Sequence, residues 1–200
     1  MNNKIEYRSF KTELRASADK PLIEGYAAVY NVLTDLGYGY REKVNPSAFL
    51  RAIAEKQDVR GLFNHDANIV LGRTKSGTLR MSSDNTGLHF ECDVNEQDPQ
   101  AMSARAKILR GDVDQCSFAF SCVKDSVVYN DDGTMDRELL DVDLFDVSPV
   151  TYPAFDTTSC EARSVESARA TALEGMRKTE KHLTPDQLAT LRMYVAVRER

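Results

Sequence analysis

The stretch from residue 115 to residue 123 reads QCSFAFSCV, and its alternation of side chains predicts a β-strand. Successive side chains of a strand point to opposite faces, so this strand would have one bulky apolar face and one small face. The bulky face would carry Cys116, Phe118, Phe120 and Cys122. The small face would carry Ser117, Ala119 and Ser121.

A small face would let a substrate or a second side chain approach Ser117 closely. The alternative is a plain antiparallel strand whose small residues face solvent or a neighbouring element. The neighbouring sequence fits strand pairing, because turn-forming compositions at 84–87 and 130–133 predict hairpins. Runs of strand-forming residues recur at 22–30, 59–64, 69–73, 78–83, 88–94 and 139–147.

Two helices are predicted where a polar capping residue precedes a proline, at Asn45-Pro46 and at Asp98-Pro99. The first would be short, and its apolar face would consist of Phe49, Leu50 and Ile53. Gly111 would end the second helix. Residues 1–160 are therefore predicted to form one β-rich α+β domain. Residues 161–200, rich in Ala, Glu, Arg and Lys, are predicted to form a charged helical or partly disordered tail.

Composition narrows the class of protein. The formal net charge is −5 with 28% charged residues, and this mildly acidic balance argues against a nucleic-acid binder. No apolar run approaches the roughly 18 residues that span a bilayer, so no membrane association is expected. The first residues lack the apolar core of a signal peptide, and a cytoplasmic protein is expected. The cysteines form no CxxC pair and no zinc-finger spacing, so neither a metal nor another cofactor is expected.

Histidine is the natural general base near neutral pH, and the chain has three. His89 falls on the polar face of an alternating strand, where a solvated histidine is expected. His182 lies in the charged tail. His65 follows the apolar run GLF at 61–63, where a strand passes into a turn, and active residues are often placed at such positions. The alternative for His65 is a structural role in capping that turn.

A serine hydroxyl becomes a good nucleophile only beside a base, and the base needs a third group to orient it. The acidic residues that follow Ser117 at suitable places are Asp141, Asp143 and Asp146. Ideal strand alternation places Asp146 at the end of the apolar row Leu140, Val142 and Leu144, whereas the other two point away. A carboxylate there is costly unless it pairs with a donor such as a histidine N–H. Asp66 is a rival that would point away from its neighbour His65.

Three other interpretations use the same residues. Cys116 would be the nucleophile of a cysteine hydrolase if its thiol pKa were lowered. His65 and Asp66 would begin a metal site, although further ligands are not evident. A non-enzymatic assembly protein would use the fold and the tail as a scaffold, and these polar residues would then be incidental.

Several segments together resemble the prohead protease family of tailed bacteriophages. They are GYAAVY at 25–30, GLFNHD at 61–66, LGR at 71–73, GL at 87–88, CSFAF at 116–120 and LFDVSPVTYPA at 144–154. Their order and spacing over residues 20–160 carry the resemblance. On this match the family's histidine falls on His65 and its serine on Ser117. The acidic position before VSP falls on Asp146.

The resemblance implies a serine endopeptidase that needs no cofactor and acts in the host cytoplasm inside the procapsid. It would cut scaffolding segments from the major capsid protein, and also cut itself. The fold would be similar to the herpesvirus assemblin fold, a closed or nearly closed β-barrel flanked by helices. Assemblins use a second histidine as third catalytic group, but the only histidine after Ser117 is His182 in the tail. Assemblins also pair, so self-association is a further expectation.

Overall fold

The computed structural model describes residues 5–152, and every structural statement below refers to them. They form two helices, α1 (Leu50–Ala54) and α2 (Pro99–Arg110). The strands in chain order are β1 (Glu6–Lys11), β2 (Leu14–Ala16), β3 (Leu22–Val29), β4 (Thr34–Asp35), β5 (Tyr40–Val44), β6 (Arg60–Phe63), β7 (Asp66–Arg73), β8 (Leu79–Ser83), β9 (Gly87–Asp93), β10 (Gln115–Tyr129) and β11 (Met135–Val150).

The strands form two sheets. In the larger sheet the order is β1-β10-β11-β5-β4, and β6 pairs with both β11 and β7. Strands β10 and β11 form a long antiparallel hairpin, whereas β5 and β6 run parallel to β11. The smaller sheet has the order β2-β3-β9-β8 and is antiparallel throughout. The predicted α+β, β-rich class is confirmed.

The core lies against the bulky face of β10. Cys116, Phe118 and Phe120 are fully buried there, as the alternation of 115–123 predicts. Phe118 packs edge-on against Phe49 at 5.2 Å between ring centroids, which joins the α1 region to the larger sheet. Each buried phenylalanine stabilises the fold by about 1.5–3 kcal/mol relative to an exposed one. This apolar packing keeps β10 rigid beneath the opposite face, which carries Ser117.

The expectation of a closed or nearly closed barrel is wrong, because the described strands form two open sheets. Closure requires the outer strands of a sheet to pair with each other. Here the larger sheet ends at β1, β4 and β7, and the smaller one ends at β2 and β8. One isolated parallel bridge, Tyr30 to Val44, joins the two sheets. Strand β2 pairs with β3, where Leu14 lies opposite Gly25. This edge of β3 is therefore already occupied and is not available to a further strand.

The two predicted helices differ in outcome. The α2 prediction is confirmed: the Asp98 side chain accepts hydrogen bonds from two backbone N–H groups, and Gly111 adopts φ +85° after the last turn. The first helix begins later than predicted, because the Asn45 side chain accepts from the Ser47 N–H at 2.9 Å and makes a turn instead. Leu50 is 55% exposed, so its assignment to the apolar face is also wrong.

The larger sheet also contains a buried network of charges. Arg8 donates to Glu42 at 2.6 Å and to Glu6 at 2.7 Å, and Arg137 donates to the same two carboxylates at 3.1 and 2.8 Å. All four side chains are at most 7% exposed. Buried charges are tolerated when they are paired and hydrogen-bonded in this way. The network fastens β1 and β5 to the hairpin.

The boundary predicted near residue 160 and the predicted tail at 161–200 lie outside the described residues. Within 5–152, neither helix is long and apolar enough to cross a membrane.

Candidate active site

Ser117 lies in the middle of the larger sheet. It pairs with Ser9 of β1 on one side and with Ser148 of β11 on the other. Its side chain points away from the phenylalanine core, because successive residues of β10 alternate between the two faces. The short side chains on both neighbouring strands leave room above Ser117 for another group. The residue is nevertheless 1% exposed, so that space is covered.

His65 reaches this space from the turn between β6 and β7. Phe63 pairs with Asp66, so only Asn64 and His65 form the loop. Both have positive φ, +56° and +57°, as a two-residue type I′ hairpin turn requires. Positive φ is uncommon for residues other than glycine, but asparagine and histidine adopt it several-fold more often than most. The prediction that His65 lies where a strand passes into a turn is confirmed, and the turn directs its ring toward β10.

Asp146 reaches the same face because β11 is irregular. Ala119 pairs with Asp146, but the next residue, Phe120, pairs with Leu144, so Phe145 is an extra residue in β11. Such a bulge reverses the alternation of side chains. Asp146 therefore lies on the face of Ser117, whereas Leu144 lies on the opposite face. The prediction that Asp146 continues the apolar row of Leu144 is wrong.

The structure brings the three predicted residues together. The Nε2 atom of His65 lies 2.7 Å from the Ser117 Oγ, and its Nδ1 atom lies 2.6 Å from the Asp146 Oδ1. An ionised carboxylate can only accept, so Nδ1 carries the ring proton and donates it to Asp146. Nε2 is then the acceptor of the Ser117 hydroxyl proton. This tautomer is the one that lets histidine act as a base toward serine.

Two further side chains surround this arrangement. The Ser148 hydroxyl, which is fully buried, donates to the same Asp146 Oδ1 at 2.7 Å. The ring of Tyr7 packs edge-on against the His65 ring at 4.7 Å between centroids. Burial and the negative charge of Asp146 raise the pKa of Tyr7 above its ordinary value. Tyr7 therefore stays neutral to a higher pH than an ordinary tyrosine, and its ring covers part of one side of the histidine.

The rival acidic residues have other partners. Asp141 and Asp143 both accept hydrogen bonds from Arg51, at 2.9 and 2.6 Å. Arg51 belongs to α1, so this cluster fastens that helix to β11. Asp66 accepts from the backbone and side chain of Asn68, both at 2.8 Å. Each of these carboxylates has a local structural role.

Cys116 is fully buried on the core face of β10, opposite to Ser117. Burial raises the pKa of its thiol above the usual range, which disfavours the thiolate that a cysteine hydrolase requires.

His89 packs edge-on against Tyr26 in the smaller sheet, and His182 lies outside the described residues. Within 5–152, no group of three or more His, Cys, Asp or Glu side chains is arranged to hold a metal ion.

Sequence reasoning did not identify Ser148, Tyr7 or Asn64 as parts of the site. Ser148 had a recognisable signal, since it lies two residues after Asp146 in the segment LFDVSPV that carries the resemblance. Asn64 also had a signal in the sequence, because asparagine is favoured at positive φ. The role of Tyr7 depends on the pairing of β1 with β10, and no local pattern indicates that pairing.

Comparison with known families identifies the family of the chain. The family model described as caudovirus prohead serine protease matches residues 8–172. No curated protein and no solved structure matches the chain. The match covers all of the described strands except the start of β1, and it includes the segments of His65, Ser117 and Asp146. The chain belongs to the caudovirus prohead serine protease family, whose members are serine proteases of capsid maturation.

Proposed function

We propose that the chain is a serine endopeptidase in which Ser117 is the nucleophile, His65 the general base and Asp146 the group that orients it. The observation that carries this proposal is the His65 ring, whose two nitrogens lie 2.7 Å from a serine hydroxyl and 2.6 Å from a carboxylate. The three side chains come from three different strands or turns. Their order along the chain is histidine, serine, acid.

The reaction is acyl transfer in two steps. His65 Nε2 takes the proton of Ser117 as its Oγ attacks the scissile carbonyl, and Asp146 stabilises the imidazolium that forms. The same Nε2 returns the proton to the leaving amine, which departs and leaves an acyl-enzyme. Water then gives a proton to Nε2 and attacks the acyl carbon. The bond from Oγ to that carbon breaks, Nε2 returns the proton to Oγ, and the new carboxyl end is released.

The substrate that fits the family is the major capsid protein. We propose that the enzyme removes a scaffolding segment from this protein, and cuts its own chain, inside the procapsid in the host cytoplasm. The family match supports a capsid-maturation protease acting there. Self-association of the enzyme is a further part of this proposal, based on its resemblance to assemblins.

Co-expression with the capsid protein tests the proposal, with intact mass as the measurement. The wild-type chain should shorten the capsid protein, and Ser117→Ala should leave it at full length. Loss of a triad nucleophile typically lowers turnover by about 10⁶-fold. Cys116→Ala is the matched control on the neighbouring residue and should still process.

Two outcomes would contradict the proposal. Processing by Ser117→Ala together with failure of Cys116→Ala would assign the nucleophile to the thiol. If the capsid protein stays at full length with the wild-type chain yet still assembles only in its presence, the protein is an assembly scaffold rather than an enzyme.

A further inference from the structure

Asn64, the neighbour of His65 in the two-residue turn, makes three hydrogen bonds to the end of β11 and to the residue that follows it. Its backbone N–H donates to the Pro149 carbonyl at 3.0 Å. Its side-chain Oδ1 accepts from the Thr151 N–H at 2.8 Å, and its Nδ2 donates to the Thr151 Oγ1 at 3.1 Å. One residue thus joins the turn that carries His65 to the strand that carries Asp146.

The pairing of the neighbouring strands shows why this contact matters. Strand β6 pairs with β11 only where Arg60 meets Asp146 and Gly61 meets Val147. The ladder therefore ends three residues before the turn. Beyond that point, Asn64 provides the hydrogen bonds that hold the turn against β11. The turn could otherwise pivot about the end of the ladder, and the His65 ring would move with it.

We propose that Asn64 is a positioning residue that keeps the His65 imidazole in line between Ser117 and Asp146. The inference rests on the proposed serine protease function and goes beyond it, since Asn64 bonds to Pro149 and Thr151 rather than to the three proposed catalytic residues. Reacting groups must stay within about 0.5 Å of their productive positions. A displacement of about 1 Å caused by a change outside the chemistry can lower the rate about 100-fold.

Substitutions at Asn64 can separate the effect of the turn conformation from the effect of the side-chain contacts. A type I′ turn accepts asparagine, aspartate and glycine at its first central position. Asn64→Gly keeps the turn and removes both side-chain contacts with Thr151. Asn64→Asp keeps the turn and can keep both contacts, because one carboxylate oxygen accepts the Thr151 N–H and the other accepts its hydroxyl proton.

Covalent labelling of Ser117 by a fluorophosphonate measures this alignment without any need to know the peptide substrate. The serine oxygen attacks phosphorus and fluoride leaves, while His65 takes the hydroxyl proton. The full-length chain is used, and intact mass gives the second-order rate constant. Asn64→Gly should label about 10- to 100-fold more slowly than wild type. Asn64→Asp should recover most of the rate. Thr151→Val, which removes one of the two contacts, should slow labelling about twofold to tenfold.

A second comparison separates positioning from a general structural role. In a His65→Ala background the base is absent, so adding Asn64→Gly should slow the residual labelling no further. Further slowing by the same factor in that background would overturn the proposal, because the effect would not pass through His65. Equal labelling rates for wild type, Asn64→Gly and Thr151→Val would also overturn it and leave the triad intact. Absence of Ser117 labelling in the wild type would instead count against the protease function itself.

Discussion

At the scale of single residues, the two hydrogen bonds of the His65 ring decide which proton transfers are possible. Asp146 accepts the Nδ1 proton, which leaves Nε2 free to accept the proton of Ser117. Ser148 donates to the same carboxylate oxygen and limits its rotation. The catalytic competence of the site therefore depends on the identity and the orientation of one buried carboxylate.

Asp146→Asn tests the identity of this group. The amide can donate to Nδ1 and so favours the tautomer in which Nε2 carries the proton and cannot act as a base. We expect the rate of capsid-protein cleavage to fall by about 10⁴-fold, as for other triad acids. Asp141→Asn is the matched control, since Asp141 lies in the same strand but binds Arg51. If Asp141→Asn abolished cleavage and Asp146→Asn did not, the assignment of the third group would be wrong.

Ser148→Ala tests the orientation of the carboxylate. Hydrogen bonds to charged groups contribute about 1.5–3 kcal/mol, so losing this one should lower kcat by about tenfold or more and leave KM nearly unchanged. Ser121→Ala serves as control, because Ser121 is also a buried serine of the larger sheet. Steady-state kinetics on a capsid-derived peptide would measure both constants. Equal kcat values for the two variants would show that Ser148 does not orient Asp146.

At the scale of elements, β11 shows what could and could not be predicted from sequence. The alternation in β10 predicted its two faces correctly, because no extra residue interrupts that strand between Gln115 and Cys122. The same reasoning failed for Asp146, because the extra residue Phe145 reverses the alternation and no local signal marks the bulge. The parallel pairing of the short strands β5 and β6 with β11 was also not predicted, since it depends on contacts distant in sequence.

The buried charge network joins β1 and β5 to the same hairpin and gives a prediction about pH. Burial alone would raise the pKa of Glu6, but hydrogen bonds and charges from Arg137 and Arg8 lower it below its ordinary value of 4.5. A carboxyl group with a lowered pKa in the folded state stabilises the protein above its unfolded pKa. That contribution is lost as the pH falls below 4.5 through the lower folded value.

Glu6→Gln should therefore lower the free energy of unfolding at pH 7 by about 3–5 kcal/mol, the usual effect of breaking a buried ion pair. It should also make the stability fall less steeply below pH 4.5, where the wild type loses this contribution. Urea unfolding at pH 7 and at several acidic values measures both effects. Glu13→Gln is the control, because the exposed Glu13–Arg15 pair should contribute about 1 kcal/mol or less. Equal stability of the two variants at pH 7 would contradict the role of the network.

At the scale of the whole molecule, the larger sheet brings the three proposed catalytic residues to one place, because the β6–β7 turn, β10 and β11 all belong to it. The β-rich class and the prohead protease family could both be predicted from the sequence, because both are indicated by short segments that follow one another in a fixed order. The closed barrel could not, because it was inferred from a distant resemblance and depends on which strand edges pair. The convergence of His65, Ser117 and Asp146 was expected from the resemblance, and the distances between them agree with it.

The most direct test of the central claim is to map where a fluorophosphonate attaches to the full-length chain. Activation of Ser117 by His65 predicts that the label is found on Ser117 in the wild type. The rate of labelling should fall by several orders of magnitude in His65→Ala, because the hydroxyl loses its base. A label on another residue, or Ser117 labelling that is equally fast without His65, would contradict the account.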